Sequence, residues 1–252
     1  MKIILDEGYQ FGLGVFETIA VEQNMPLLLE EHLERMQHSL YTLHINKTIK
    51  ADEVFDFLSG HQLEHHALKF MVSAENTLFT VRQNPYPVCE KIETVSESAR
   101  TFRLCVSSVR RNETSPLVFH KTMNYADNLL EKRRALREGF DEVVFCNSRG
   151  ELCEGAATNL FFVRNGKLLT PQLSCGILPG VMRRFILEHF PVTECVLYPS
   201  DLSSMDECFV TNSLMGVMPV RCLDDHAFYR YSMCAYIRNF YAEYVRSHMF
   251  QS

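Results

Sequence analysis

The sequence lacks the features that mark several common classes of non-enzymatic protein. It has no basic excess, because 25 lysines and arginines stand against 31 aspartates and glutamates, with a formal net charge of -6. Binding to a phosphate backbone depends on clustered cations, so we expect no nucleic-acid partner. No apolar run approaches the roughly 20 residues of a membrane-spanning helix, and the amino terminus lacks a basic head followed by an apolar stretch. We therefore expect a cytoplasmic protein without membrane anchor or secretory signal.

The sequence also lacks any C-x-x-C pair, although it contains nine cysteines. An odd and scattered set of cysteines argues against a disulfide framework and against a zinc site. A thiol among apolar neighbours, such as Cys105 between Leu104 and Val106, behaves as a small hydrophobic group. We predict free thiols, most of them in the core, and no bound metal.

The residues that are present predict an α/β protein with two domains. With 46% apolar and 22% charged residues over 252 positions, the chain can bury a sizeable core. The first domain, residues 1–86, is predicted to contain a strand over Val15–Val21 and a hairpin over Leu68–Ser73 and Leu78–Val81. Between them, leucines and a methionine recur at spacings of three and four from Leu29 to Leu43, which indicates an amphipathic helix.

A proline-containing stretch at Gln83–Pro87 is predicted to link the domains, because proline breaks both helices and strands. The second domain, residues 87–252, alternates strands and helices. Its predicted elements are a strand at Phe102–Val109, a helix at Asn124–Arg137, a strand at Val143–Cys146, a hairpin around Asn165-Gly166, a helix from Pro179-Gly180 to Phe190 and a strand at Cys208–Val210.

Three segments could carry chemistry. Lys121 lies where a predicted helix begins, and such a lysine could form a Schiff base or be an ordinary surface lysine. Glu154 precedes small residues and an apolar strand, so it could pair with a cofactor ring nitrogen or be a solvated turn residue. Pro179-Gly180 opens a helix whose amino terminus could bind a phosphate, although many such pairs only start helices.

Six segments in the same order resemble those of the fold-type IV pyridoxal-phosphate enzymes, the branched-chain and D-amino-acid aminotransferase class. The resemblance covers nearly the whole chain. It implies a small α/β amino-terminal domain and a larger carboxy-terminal domain with a pseudo-barrel sheet. The matching segments are Phe11–Thr18, His32–Met36, the Lys121 segment, Glu154–Phe161, Leu178–Gly180 and Thr211–Val220.

The resemblance implies a role for each matching residue. Lys121 would carry pyridoxal 5'-phosphate (PLP) covalently and shuttle protons, while Glu154 would pair with the pyridine nitrogen. Tyr125 lies near where several relatives place a tyrosine on the cofactor's phenolic oxygen. The expected phosphate-binding groups are the Arg35 side chain, the backbone of Val181 and Met182, and the Ser213 hydroxyl.

The segment Thr211–Val220 bears on the reaction. Transaminases of this class tend to have a glutamate at the position of Gly216, whereas the sequence of this segment resembles that of the family's aminodeoxychorismate lyases. Thr18 could donate a hydrogen bond to the leaving oxygen or to a carboxylate, or it could be an ordinary β-branched strand residue. The expected substrate contacts are Asn212, Leu214 and Met215.

Other hypotheses remain open at this stage. A D-amino-acid or branched-chain transaminase would use the same cofactor and lysine, and a cofactor-free binding paralogue is a third alternative. The family works as a homodimer, so we expect one here. Only ten residues precede Phe11, which implies a first strand that is shortened or absent. Arg110 and Arg111 could steer an acidic substrate or be a solvated pair.

Overall fold

The computed structural model describes residues 3–86 and 100–249. Of these, residues 3–86 and 120–125 form one compact unit, and residues 100–119 and 126–249 form another. Each unit is described by itself below. Pro87 of the predicted linker and Cys89 lie outside the described residues, and the boundary between residues 86 and 87 stays a prediction.

The first unit is a four-stranded antiparallel sheet covered by helices. The strand order is β2-β1-β3-β4, and β1 pairs with β3 along its whole length. The elements are α1 (Glu7–Phe11), β1 (Gly14–Glu22), β2 (Met25–Pro26), α2 (Leu29–Thr42), α3 (Ala51–Ser59), β3 (His65–Ser73) and β4 (Thr77–Gln83). The predicted strand, helix and hairpin of this region are confirmed.

The core of the first unit lies between one face of the sheet and the two longer helices. Successive strand residues point to opposite faces, so the odd-numbered residues of β1 share this face. They pack with apolar side chains spaced three and four residues apart on α2, and with Val54 and Leu58 of α3. The buried members include Val15, Ile19, Met36, Leu40, Leu68, Phe70 and Val72.

A short helix precedes β1. The Asp6 carboxylate accepts a hydrogen bond from the Tyr9 backbone N–H at 3.1 Å, which caps the start of α1. Gly12 ends the helix with a φ of 72°, a left-handed conformation that glycine adopts without steric cost. Among the described residues before β1, none forms a strand.

The second unit is built on a nine-stranded sheet in the described part of the chain. Six of its strands close into a ring in the order β8-β11-β12-β5-β6-β7, because β7 pairs back with β8 through Glu154 and Asn159. The predicted pseudo-barrel is thus confirmed. The elements are β5 (Phe102–Arg111), α4 (Ala126–Arg137), β6 (Glu142–Asn147), β7 (Leu152–Gly155), β8 (Asn159–Arg164), β9 (Lys167–Pro171), α5 (Val181–His189), β10 (Val192–Cys195), β11 (Glu207–Asn212), β12 (Gly216–Leu223), β13 (His226–Ala227) and α6 (Ser232–Met249).

Fully buried aromatic and aliphatic side chains fill the second unit. The rings of Phe161 and Phe209, on neighbouring strands, stack with centroids 5.1 Å apart. The eight described cysteines are free; six are buried, and Cys195 and Cys222 are partly buried. None of the described helices is both long and apolar enough to span a bilayer.

The predicted helix at residues 124–137 was wrong at its start. It begins at Ala126 instead, and residues 121–123 before it pair with β1. This correction changes the backbone on which Lys121 is placed.

Candidate active site

Lys121 lies on an extended segment that is fixed to β1 of the first unit. Its carbonyl accepts a hydrogen bond from the Phe16 N–H at 2.9 Å, and the Met123 N–H donates to the Gly14 carbonyl at 2.8 Å. Between these bonds, Thr122 forms an antiparallel bridge with Val15. Two backbone hydrogen bonds, one of them to the carbonyl of the lysine itself, therefore fix this segment against β1.

Glycine is required at the contact between this segment and the sheet. A Cβ atom on Gly14 would lie 2.8 Å from the Val72 carbonyl oxygen and 2.9 Å from the Met123 sulfur. Real Cβ contacts are longer, so any side chain at position 14 would push the lysine segment away from β1. This packing explains the second glycine of the Phe-Gly-Leu-Gly motif.

Two aromatic rings surround the Lys121 amine. Its Nζ is 4.6 Å from the centroid of the Phe16 ring and 5.2 Å from that of Tyr125. The two rings meet edge to face, with centroids 5.2 Å apart and planes at 89°. The electron-rich faces of such rings attract a cation without forming an ion pair with it. The structure brings Tyr125 to the lysine; a role for Tyr125 toward a cofactor oxygen stays a prediction.

A buried triad of charged and polar groups lies on β1 and α2 of the same unit. The Glu17 carboxylate accepts hydrogen bonds from His32 Nδ1 at 2.6 Å and from Arg35 Nε and Nη2 at 2.8 and 2.6 Å. Burial alone would raise the pKa of Glu17, but the Arg35 guanidinium and His32 outweigh it and lower that pKa to about 2. The carboxylate stays charged and orients the predicted phosphate ligand Arg35.

Burial also lowers the pKa of His32, although the neighbouring Glu17 carboxylate opposes the shift. The charges on Arg35 and Lys121 lower this pKa further. Glu17 and His32 belong to motifs that carried the family resemblance, yet the sequence alone gave neither of them a role. Their pairing across β1 and α2 could not be read from residues 15 positions apart.

Glu154 is held firmly within the second unit. Its Oε2 accepts hydrogen bonds from the Leu178 N–H at 3.0 Å and the Asn159 amide at 3.2 Å. Its Oε1 lies 3.6 Å from Arg111 Nη2, and the residue is only 8% exposed. These partners orient the Glu154 carboxylate, and a carboxylate is the counter-ion that a protonated ring nitrogen requires.

Arg111 is not part of a solvated charge pair, while the steering of an acidic substrate stays a prediction. Its guanidinium lies 4.1 Å from the centroid of the Phe145 ring and donates to the Asn128 side-chain oxygen at 3.1 Å. With 14% of its side chain exposed, Arg111 belongs to the Glu154 cluster and is not a solvated charge. Arg111 is therefore a site residue outside the motifs, and Asn159 lies in the Glu154–Phe161 motif without a role having been predicted for it.

The amino terminus of α5 is open to an anion. Gly180 is its N-cap, and no side chain caps the helix. A Cβ atom on Gly180 would lie 1.9 Å from the Asn159 side-chain oxygen, so only glycine fits this approach. The backbone N–H groups of Val181 and Met182 in the first turn have no intrahelical acceptors, and the helix dipole favours negative charge there.

A buried hydroxyl lies beside this helix start. Thr211 on β11 pairs directly with Asn159 on β8, and paired residues point to the same face of a sheet. The Thr211 Oγ1 is buried and has no hydrogen-bond partner among the described residues. An orphaned hydroxyl, an uncapped helix and a glycine that leaves space together fit the phosphate of a cofactor.

The turn from Asn212 to Met215 follows Thr211 directly. The Asn212 side-chain oxygen accepts from the N–H groups of Leu214 and Met215, both at 3.0 Å, and its amide donates to the Ala157 carbonyl at 3.1 Å. Met215 is buried and Ser213 is half-buried. Asn212 thus holds the turn, while the predicted substrate contacts of these residues and the phosphate contact of Ser213 stay predictions.

Comparison with known proteins defines the class. The family model described as amino-transferase class IV matches residues 14–223, so the chain belongs to this family. Its members are pyridoxal-phosphate enzymes, and PLP is the cofactor of this chain.

Individual relatives fall into two activities. The chain is 28% identical to an aminodeoxychorismate lyase of Bacillus subtilis, over 87% of this chain and 80% of the relative. It is 29% identical to a probable branched-chain-amino-acid aminotransferase of Thermotoga maritima, over 86% and 79%. Among solved structures, a Legionella pneumophila protein provisionally named 4-amino-4-deoxychorismate lyase superposes with a TM-score of 0.83 at 25% identity, covering 96% of each chain.

Proposed function

We propose that the protein is a PLP-dependent 4-amino-4-deoxychorismate lyase, which forms 4-aminobenzoate and pyruvate for folate biosynthesis. The observation that carries the proposal is the similarity to proteins of that name across nearly the whole chain. The fixed Lys121 amine and the charged Glu154 carboxylate supply the side chains that the chemistry needs.

When bound, PLP supplies a covalent link to the substrate amine and a ring that withdraws electrons from the carbon bearing that amine. Lys121 holds the cofactor before the substrate arrives, and its released amine then takes the proton from that carbon. Glu154 keeps a proton on the cofactor's ring nitrogen. The carbon–oxygen bond to the enolpyruvyl group breaks, the substrate ring becomes aromatic, and the two products account for every substrate atom.

The other predicted residues bind the cofactor phosphate or contact the substrate. Arg35, Ser213 and the first-turn N–H groups of Val181 and Met182 bind the cofactor phosphate, and Thr211 adds its free hydroxyl. Thr18 lies half-buried on β1, on the same face as Phe16, and donates to the leaving oxygen or to a substrate carboxylate.

The backbone at Gly216 supports the lyase over a transaminase. Gly216 has a φ of 64°, and a Cβ atom there would lie 3.2 Å from the Tyr241 ring. The glutamate that family transaminases tend to have at this position would be strained on this backbone. The aminotransferase relatives, at similar identity, nevertheless keep a branched-chain or D-amino-acid transaminase as the second candidate.

Product analysis separates these activities. The holoenzyme should release 4-aminobenzoate and pyruvate in equal amounts from 4-amino-4-deoxychorismate, and Lys121→Ala should release neither. Borohydride should bleach the absorbance of the wild-type protein but leave the cofactor of Lys121→Ala unattached. Rapid conversion of D-alanine and 2-oxoglutarate without any 4-aminobenzoate would contradict the lyase assignment and support a transaminase.

A further inference from the structure

The side chain of His120, the residue immediately before Lys121, contacts helix α2. The His120 ring is buried, and its Nδ1 lies 3.0 Å from the Ser39 hydroxyl oxygen. The Lys121 amine, by contrast, lies over the Phe16 ring of β1. Two successive side chains therefore contact different elements of the first unit, the histidine a helix and the lysine a strand.

The hydrogen bonds around Ser39 have a defined direction. The Ser39 hydroxyl donates its single proton to the Arg35 carbonyl at 3.0 Å, so it accepts a hydrogen bond from His120 Nδ1. Burial and the charge of His38, whose ring centroid lies 5.5 Å from that of His120, lower the pKa of His120. A neutral imidazole has one N–H, and the contact with Ser39 places it on Nδ1.

These contacts join the segment of Lys121 to the residue that is predicted to bind the cofactor phosphate. Ser39 lies one helical turn after Arg35 on α2, and a buried carboxylate holds the Arg35 side chain. On the other side, the Lys121 carbonyl accepts a hydrogen bond from the Phe16 N–H of β1. Backbone bonds thus fix the lysine segment to the strand, and the His120 side chain fixes it to the helix.

We propose that His120 is a positioning residue, which sets the distance between the Lys121 segment and α2 through its hydrogen bond to Ser39. The inference rests on the proposed roles of Lys121 and Arg35, which would hold the two ends of PLP. The cofactor has a fixed length, so its aldehyde meets the lysine amine only if both segments keep their separation. His120 acts through the backbone and Ser39, while Lys121 performs the chemistry.

Competition with a small amine measures how well Lys121 is placed. Ethylamine is added to the holoenzyme at increasing concentrations, borohydride then makes the existing link permanent, and the mass of the intact chain gives the fraction that still carries the cofactor. A well-placed attached group competes as if it were present at a high concentration. A displaced lysine competes less well, so half of the chains lose the link at a lower ethylamine concentration.

Two variants remove the proposed contact from either side. His120→Phe removes the donor but keeps a ring, and Ser39→Ala removes the acceptor. We expect each to lower the ethylamine concentration for half displacement about tenfold, the effect of losing one hydrogen bond. The double variant should be no worse than either single variant, because both remove the same contact.

A rescue and a control distinguish positioning from general stability. His120→Asn should recover much of the wild-type value, because its amide nitrogen stands as many bonds from the backbone as Nδ1 does. His61→Phe is the matched control, since His61 is a half-buried histidine of the same unit whose Nδ1 lies 2.9 Å from the Phe57 carbonyl. This control should leave the half-displacement concentration unchanged, even where it lowers thermal stability.

The possible outcomes are distinct. Equal half-displacement concentrations in wild type, His120→Phe and Ser39→Ala would overturn the proposal, and so would an equally large effect of His61→Phe. A wild-type chain that gains no mass after borohydride would overturn attachment at Lys121, and the role of His120 with it. The exchange does not depend on the reaction catalysed, so the expected shifts in a protein that makes no 4-aminobenzoate would support the role of His120 and contradict only the lyase function.

Discussion

Glu17 is a fully buried carboxylate whose charge contributes to stability. Its pKa in the folded chain is about 2, against an ordinary value of 4.5, because Arg35 and His32 outweigh the effect of burial. A depressed pKa stabilises the folded state above the ordinary pKa, and this contribution is lost as the pH falls from about 4.5 toward 2. The shift corresponds to roughly 3 kcal/mol at neutral pH.

We therefore expect Glu17→Gln to lower the free energy of unfolding by about 3 kcal/mol at neutral pH, measured by urea denaturation. The difference from wild type should shrink steadily below pH 4.5, because Glu17 takes up a proton in the unfolded chain while it stays ionised in the folded one. Glu64→Gln, at an exposed position, is the control and should change little. A difference that is constant down to about pH 2.5 would show that the Glu17 charge does not stabilise the fold.

Removing the Thr211 hydroxyl should not reduce the stability of the apoprotein, but it should weaken cofactor binding. Its hydroxyl is buried without a partner, so Thr211→Val should leave thermal stability without cofactor unchanged or higher. The same change should weaken PLP binding about tenfold, because one donor to the phosphate is lost. Cofactor titration by absorbance and thermal unfolding of the apoprotein measure the two effects.

Thr170→Val is the matched control for this experiment. The Thr170 hydroxyl is also buried but donates to the Leu160 carbonyl at 2.7 Å. Removing it should destabilise the apoprotein by about 1 kcal/mol or more without a specific loss of cofactor affinity. If Thr211→Val bound PLP as tightly as wild type, its hydroxyl would have no part in phosphate binding.

At the scale of elements, the start of α5 depends on one glycine. A Cβ atom on Gly180 would meet the Asn159 side-chain oxygen, and Asn159 cannot turn away without losing its bonds to Glu154 and the Leu178 carbonyl. Gly180→Ala should therefore weaken cofactor binding and lower the free energy of unfolding by about 1 to 3 kcal/mol. Both are measured on the purified protein by titration and denaturation.

Gly60→Ala is the appropriate comparison, because Gly60 has a φ of -78° and nothing lies closer than 3.8 Å to its would-be Cβ. It should be nearly neutral. Unchanged cofactor affinity in Gly180→Ala would show that α5 tolerates the displacement and that its first turn does not bind the phosphate.

Helices and turns whose own residues show a characteristic spacing or dipeptide were predictable from the sequence, and the other elements were not. Leu29 to Leu43 repeat at helical spacing and Asn165-Gly166 favours a tight turn, so α2 and the β8–β9 hairpin could be read directly. Strands β7 and β10 have four residues each, too few to show alternation. The motifs located Lys121 and Glu154 but not Arg111, because its contact with Glu154 joins strands that are distant in sequence.

At the scale of the whole molecule, exposed apolar side chains support the expected homodimer. Leu129, Leu130 and Leu136 on α4 are 50%, 60% and 55% exposed. Contiguous exposed apolar groups mark interaction surfaces. We expect light scattering to give about twice the 29.2 kDa chain mass, and Leu130→Asp to shift the protein toward monomer. A fully active wild-type monomer would contradict the expectation.

The pairing of residues 120–125 with β1 has a consequence for biosynthesis. Strand β1 emerges from the ribosome roughly a hundred residues before the segment that pairs with its amino-terminal end, so until then the backbone groups at that end of β1 stay unpaired. Contacts this distant in sequence form slowly, and incomplete sheets are prone to aggregate. A nascent chain arrested before residue 120 should therefore need chaperone protection, whereas one released after residue 125 can close its own edge.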